Sequence, residues 1–112
     1  MTGRVLVALL VLVLVGGLVI GLLFVCQYRR YEKAYAGLER GASRSGVLKS
    51  FGDPDEIQSC QGALSWDGEP LNVGAPECVE EFRYQSRISP EQWFVGFDAS
   101  GRVVGKAHFV SP

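Results

Sequence analysis

At 112 residues and 12.2 kDa the chain has room for one small domain, which excludes a multidomain enzyme. A formal net charge of −1 supplies no basic field for gripping phosphates, and nucleic-acid binding is excluded with it. The hydrophobic fraction of 47% is ordinary, but it is gathered at one end.

Residues 1–4 are a short tail. Arg4 is the only charge before Arg29, so the rest of the chain carries all but one of the eleven basic residues and all twelve acidic ones. Residues 5–25 form an unbroken apolar run. At about 1.5 Å per residue such a run crosses the roughly 30 Å hydrocarbon core of a bilayer, and it predicts a transmembrane helix. A cleaved signal peptide has a shorter apolar stretch, about 7–15 residues, and a small-residue cleavage site. Phe24-Val25-Cys26-Gln27-Tyr28 offers no such site, and the branched Val25 disfavours lipid modification of Cys26. An uncleaved single-pass anchor is expected, with Cys26 an inert residue at the boundary. Gly17 and Gly21 form a small-xxx-small pair, a candidate face for helix–helix contact.

Beyond the anchor, Tyr28, Tyr31, Tyr35 and Leu38 recur at helical spacing. They predict that the helix continues out of the membrane, through a juxtamembrane helical linker over 26–36, and ends near Gly41, serving as a stalk or as the first helix of the domain. The domain itself is assigned to 37–112. Ser43 is placed to cap a second helix carrying Val47, Leu48 and Phe51, with Gly52 as its stop and Pro54 beyond it. Gly46 inside that helix costs about 1 kcal/mol relative to Ala.

Strands follow at 56–60, with a possible resumption at 63–66, and then a Gly- and Pro-rich loop over 67–76. Cys78, Phe82 and Tyr84 alternate with Glu81, Arg83 and Gln85, the pattern of a half-buried antiparallel strand. Strands at 92–97 and 102–110 are joined by a turn at Asp98-Ala99-Ser100-Gly101. The fold class read from this order is α+β. A transmembrane helix leads into two helices packed on a three- to four-stranded antiparallel sheet.

Cys60 and Cys78 are candidates for a disulfide closing a loop of about 19 residues, worth about 3 kcal/mol to a small domain. Two free, partly buried thiols are the alternative. An oxidising compartment permits the bond and the cytosol does not. The positive charges at Arg29, Arg30 and Lys33 pull the other way, since the positive-inside tendency favours a cytoplasmic C-terminal domain. Cys60, Cys78 and His108 are widely separated and include no close pair, so no metal is expected. His108, flanked by Ala107 and Phe109, reads as a hydrogen-bonded strand histidine. No catalytic constellation or phosphate loop has the necessary context, and neither an enzyme nor a cofactor is expected.

The pattern Gly41-x-Ser43-x-x-x-Val47, closed by Gly52-x-Pro54-Asp55, resembles the SmpA/OmlA (BamE-like) family of Gram-negative bacteria. Phe97-Asp98-x-x-Gly101-x-Val103 is similar to the terminal hairpin of that family. The resemblance spans about residues 37–110. It implies a two-helix, three-stranded domain in the cell envelope that steadies outer-membrane assembly machinery through protein contacts and, in some members, anionic phospholipid. Two differences stand out: an apolar helix takes the place of the usual lipobox, and Gly46 takes the place of a helix-former.

These readings lead to a non-enzymatic, membrane-anchored envelope scaffold in the inner membrane, its domain periplasmic, docking on another envelope protein. Trp66 and Trp93 are the candidate contacts, because Trp dominates binding hot spots. Arg29 and Arg30 are placed to meet anionic headgroups. The alternative is an accessory subunit of an inner-membrane complex that works mainly through its transmembrane helix.

Overall fold

In the computed structural model, the structure describes residues 2–60 and 77–110. Two helices and four strands follow in chain order: α1 (Thr2–Ala36), α2 (Arg44–Phe51), β1 (Glu56–Gln58), β2 (Glu80–Gln85), β3 (Glu91–Phe97) and β4 (Val103–Val110). The strands form one antiparallel sheet in the order β1-β2-β3-β4.

The tyrosine stripe continues the anchor helix, as its spacing predicts, and the two form one helix, α1, of 35 residues. The physical reason is that no Gly or Pro falls between Leu22 and Ala36, so nothing interrupts the backbone ladder. It stops at Ala36 rather than near Gly41, where Gly37 N–H donates to Lys33 O (3.1 Å) and Leu38 N–H to Tyr35 O (3.2 Å). The segment drawn as a linker is therefore part of the domain. Tyr31 is buried in the core, with Tyr28, Ala34 and Tyr35 packed around it.

α2 is punctuated as its sequence indicates. Ser43 Oγ accepts from Gly46 N–H at 3.1 Å, satisfying an orphan donor of the first turn. A Cβ at Gly46 would come within 3.2 Å of that same oxygen. The glycine leaves the cap oxygen room. At the other end Gly52 takes φ +90° and donates to Leu48 O. A side chain there is strained whatever the space, and the Arg30 guanidinium lies 3.5 Å from its Cβ position. Gly52→Ala is expected to cost about 1–3 kcal/mol, read as a lower thermal midpoint. An unchanged midpoint would show that the loop after α2 relaxes freely.

α2 and the tyrosine stripe of α1 cover one face of the sheet. Phe82, Tyr84, Trp93, Val95, Phe97 and Val103 point into this layer and are 1% exposed or less. Phe51 stacks on Tyr84 with ring centroids 4.8 Å apart, and Phe82 meets Phe97 at 4.6 Å. The predicted alternation of β2 holds for these residues. Glu81 keeps the opposite face, as the alternation assigns it, but is buried there. Gln58 Nε2 donates to Glu81 Oε1 at 2.5 Å across the β1–β2 pair. Gly41, with φ +84°, and Gly101, with φ +80°, supply the left-handed residues before α2 and in the β3–β4 turn. Asp98 Oδ1 accepts from Ser100 N–H (2.9 Å) and Arg102 N–H (3.0 Å), which closes that turn.

Among the family-like positions, Val47 and Phe97 are core residues. Pro54 follows α2 as a stop. Cys60 and Cys78 are joined by a disulfide, their Cα atoms 6.0 Å apart. The expected strand at 63–66, the loop at 67–76 and Trp66 lie outside the described residues.

Candidate functional site

The site with the richest chemistry is the junction where α1 enters the sheet. Along α1, Tyr28, Tyr31 and Tyr35 face the domain because they recur every three or four residues. Tyr31 is wedged among Phe51, Tyr84 and Trp93, at centroid distances of 6.2, 5.2 and 5.4 Å. Desolvation in this pocket raises its phenol pKa, and the same cause acts more strongly on Tyr84, whose hydroxyl donates to Gly52 O at 2.9 Å. Both phenols stay neutral across the physiological range.

Beside this aromatic wedge lies a polar cluster. Tyr28 OH donates to Glu91 Oε1 at 2.9 Å, and His108 Nε2 lies 2.9 Å from Glu91 Oε2. The His108 ring stacks on Trp93 at 5.2 Å with an interplanar angle of 13°. Lys106 Nζ donates to Tyr35 O at 2.9 Å and sits 4.5 Å over the Tyr35 ring. These bonds tie the helix to β3 and β4, and His108 is the hydrogen-bonded strand residue its context predicted.

Burial pulls the Glu91 carboxyl upward, but hydrogen bonds from His108 and Tyr28 outweigh that effect and hold its pKa below the ordinary 4.5. A carboxylate with a depressed folded-state pKa stabilises above its unfolded value and loses that contribution as pH falls through the folded one. The thermal midpoint is therefore expected to fall as the pH drops below the ordinary 4.5 and through the lower folded-state value, and Glu91→Gln to flatten that fall. Equal slopes for both proteins would remove Glu91 from the acid response.

A second feature is a groove of about 470 Å³ between α1 and α2. Ala34, Leu38, Ala42 and Val47 form its apolar floor, and Arg30, Lys33 and Glu39 rim it. Arg30, expected to face headgroups, turns toward α2. Its Nε donates to Ser50 O (2.9 Å) and its Nη2 to Lys49 O (3.1 Å), satisfying carbonyls at the helix C-terminus. Arg29 is exposed.

Trp93 requires a correction. Expected as a partner contact, it is 1% exposed and packed between Tyr28, Tyr31 and His108. Strand alternation put its ring on the helix-covered face, and no surface of it is left for a partner. Gly17 and Gly21 lie on the bare part of α1, and a Cβ at either would meet nothing within 4 Å. Cys26 is a free, exposed thiol. Among the described residues no three His, Cys, Asp or Glu side chains come together as a metal site. The groove was missed because its walls come from helices that look separately amphipathic. The signal for it was the small residues Ala34, Gly37, Ala42 and Gly46, which leave space where the helices meet.

No protein-family model matches the chain, and no curated protein does. Among solved structures the chain is similar to one described as an osmotically inducible lipoprotein, OsmE, with 21% sequence identity and a TM-score of 0.44, over 66% of this chain and 71% of that chain.

Proposed function

We propose that the chain is a non-enzymatic, membrane-anchored envelope protein whose domain docks on another envelope protein from a fixed position at the membrane. The observation that carries this reading is the continuity of α1, a single helix whose apolar part is bare and whose last turns are core. A domain joined this way cannot swing on a tether, so its groove is held at one height and bearing. That suits a scaffold. The Cys60–Cys78 bond favours an oxidising compartment over the cytosol, and hence a periplasmic domain behind an inner-membrane anchor. The resemblance of the α2 and hairpin motifs to SmpA/OmlA proteins supports a place in outer-membrane or envelope assembly.

Two measurements test this. In intact spheroplasts an impermeant maleimide is expected to label Cys60 and Cys78 only after reduction. Labelling without reductant, and only after lysis, would put the domain in the cytoplasm. A photo-cross-linking residue at Lys33 or Glu39, on the groove, is expected to capture one membrane-associated protein that the same residue at Ala99 does not. Equal or no capture at these positions would sink the docking reading.

The uncovered Gly17 and Gly21 face favours a second reading, an accessory subunit of an inner-membrane complex that works through its helix. Exchange of residues 5–25 for an unrelated transmembrane helix separates the two. The scaffold tolerates it and the accessory subunit does not.

A further inference from the structure

We infer that the domain rests on the lipid surface itself, with Ile88, Phe109 and Val110 entering the headgroup layer of the bilayer that holds α1. The inference depends on the anchor proposed above and extends it from the helix to the domain.

The contacts along α1 set the direction of every strand. Tyr28 meets Glu91 and Trp93, Tyr35 meets His108, and Gly41 N–H donates to Val103 O. As α1 leaves the apolar run, its partners on β4 therefore move from the C-terminal end of that strand to its start. β4 runs back toward the membrane, β3 runs away from it, and β2 runs back again. The β2–β3 turn and the end of β4 share the membrane side.

The height of that side follows from helix rise. Tyr28 lies three residues beyond Val25, about 5 Å along the axis, within the headgroup layer that adds about 5–7 Å on each side of the hydrocarbon core. The domain reaches lower still. A hollow of about 350 Å³ is lined by Leu23 and Cys26 together with Phe51, Gly52 and Asp53. Phe24 and Val25 are each 37% exposed, whereas the large apolar residues from Val5 to Leu23 keep 51–70%. The base of the domain thus overlaps the end of the apolar run.

The chemistry of this rim suits lipid. Beyond the apolar run, the large exposed hydrophobics among the described residues are Ile57, Val79, Ile88, Phe109 and Val110. Ile57 and Val79 lie higher on the sheet, and the other three are on the membrane side. Ile88 is held outward by a built turn, in which Ser86 Oγ accepts from Ile88 N–H and Ser89 N–H, each at 3.2 Å. At the same level Arg87 is matched by Asp55, and Glu91 by Tyr28 and His108. Those pairs near lipid leave no lone charge to desolvate, whereas the exposed Asp53, beside Leu23 and Cys26, has to keep its water and so limits the rim to the headgroup layer. The exposed Arg29 sits on the same level, where a long cationic side chain reaches lipid phosphates.

The test uses the full chain in phosphatidylcholine vesicles whose lipids carry bromine high on the acyl chain, with the disulfide intact and Cys26→Ser throughout. Single cysteines bearing bimane are placed by Ile88→Cys, Phe109→Cys, Leu18→Cys and Ala99→Cys. The expected result is strong quenching at 18, loss of about half of the emission at 88 and 109, as for groups set about 5–10 Å into the boundary, and none at 99. Quenching at 18 with none at 88 or 109 overturns the inference and leaves the anchor standing. Equal quenching at 88, 109 and 99 overturns it too, because only the rim is meant to enter. No quenching at 18 shows that the anchor reading has failed, and the inference falls with it.

Discussion

A chain cut to begin at Gly37 is expected to lose cooperative unfolding, whereas one beginning at Gln27 keeps it. Removing residues 27–36 takes Tyr28, Tyr31 and Tyr35 out of the fold. It also uncovers Phe51, Tyr84 and Trp93, which Tyr31 touches directly. Each large side chain returned to water forfeits about 1.5–3 kcal/mol. Three of them, with the hydrogen bonds to Glu91 and Lys106, approach the whole stability of a small domain, about 5–15 kcal/mol. Near-UV dichroism and a thermal melt of the two truncated chains decide the matter. A cooperative melt for the shorter chain, at the midpoint of the longer one, would show that α1 only abuts the domain. Trp93→Ala in the longer chain is the single-residue counterpart, with an expected cost of about 3–5 kcal/mol for truncating a core aromatic.

This prediction turns on a feature that local sequence rules read only halfway. The tyrosine stripe declared a helical face, but periodicity says which residues share a face and not what they face. Whether residues 26–36 are stalk or core depends on contacts more than fifty residues distant, with Glu91, Trp93 and His108. The elements read most closely are those with chemical punctuation at both ends. Ser43 and Gly52 bounded α2, because a cap oxygen and a left-handed glycine act within a few residues of themselves. The Asp98–Gly101 turn is local in the same sense. The burial of Glu81 was not legible for the opposite reason: alternation assigns its face correctly but does not reveal that Gln58 on a neighbouring strand meets it there. Trp93 shows how a composition-based argument for binding hot spots gives way to alternation, which had already put that ring inside. The groove depends on the spacing of two helices, a quantity no single segment encodes.

Replacing both Cys60 and Cys78 with Ser is expected to lower stability by about 3 kcal/mol, the loop-closure contribution of a cross-link of this length. For a domain of 60–100 residues that corresponds to a fall on the order of 10–20 °C in thermal midpoint. The loss falls on a vulnerable part of the sheet. β1 is an edge strand of three residues, paired with β2 through Glu56↔Arg83, Ile57↔Phe82 and Gln58↔Glu81. Cys60 follows it by two residues and Cys78 precedes β2 by two, so the bond holds the two strands in register. Without it β1 is the first strand expected to part, and Glu81 would then lose the Gln58 amide that satisfies it while buried. Reductant applied to the unsubstituted chain should reproduce the shift, add nothing to the double variant and leave Cys26→Ser behaving as the parent does. A double variant that melts within about 2 °C of the parent would contradict the loop-closure argument. A cross-link that the domain does not need for stability would also weaken the case for a periplasmic domain. A large fall strengthens that case, because a domain that depends on this bond is poorly suited to the reducing cytosol.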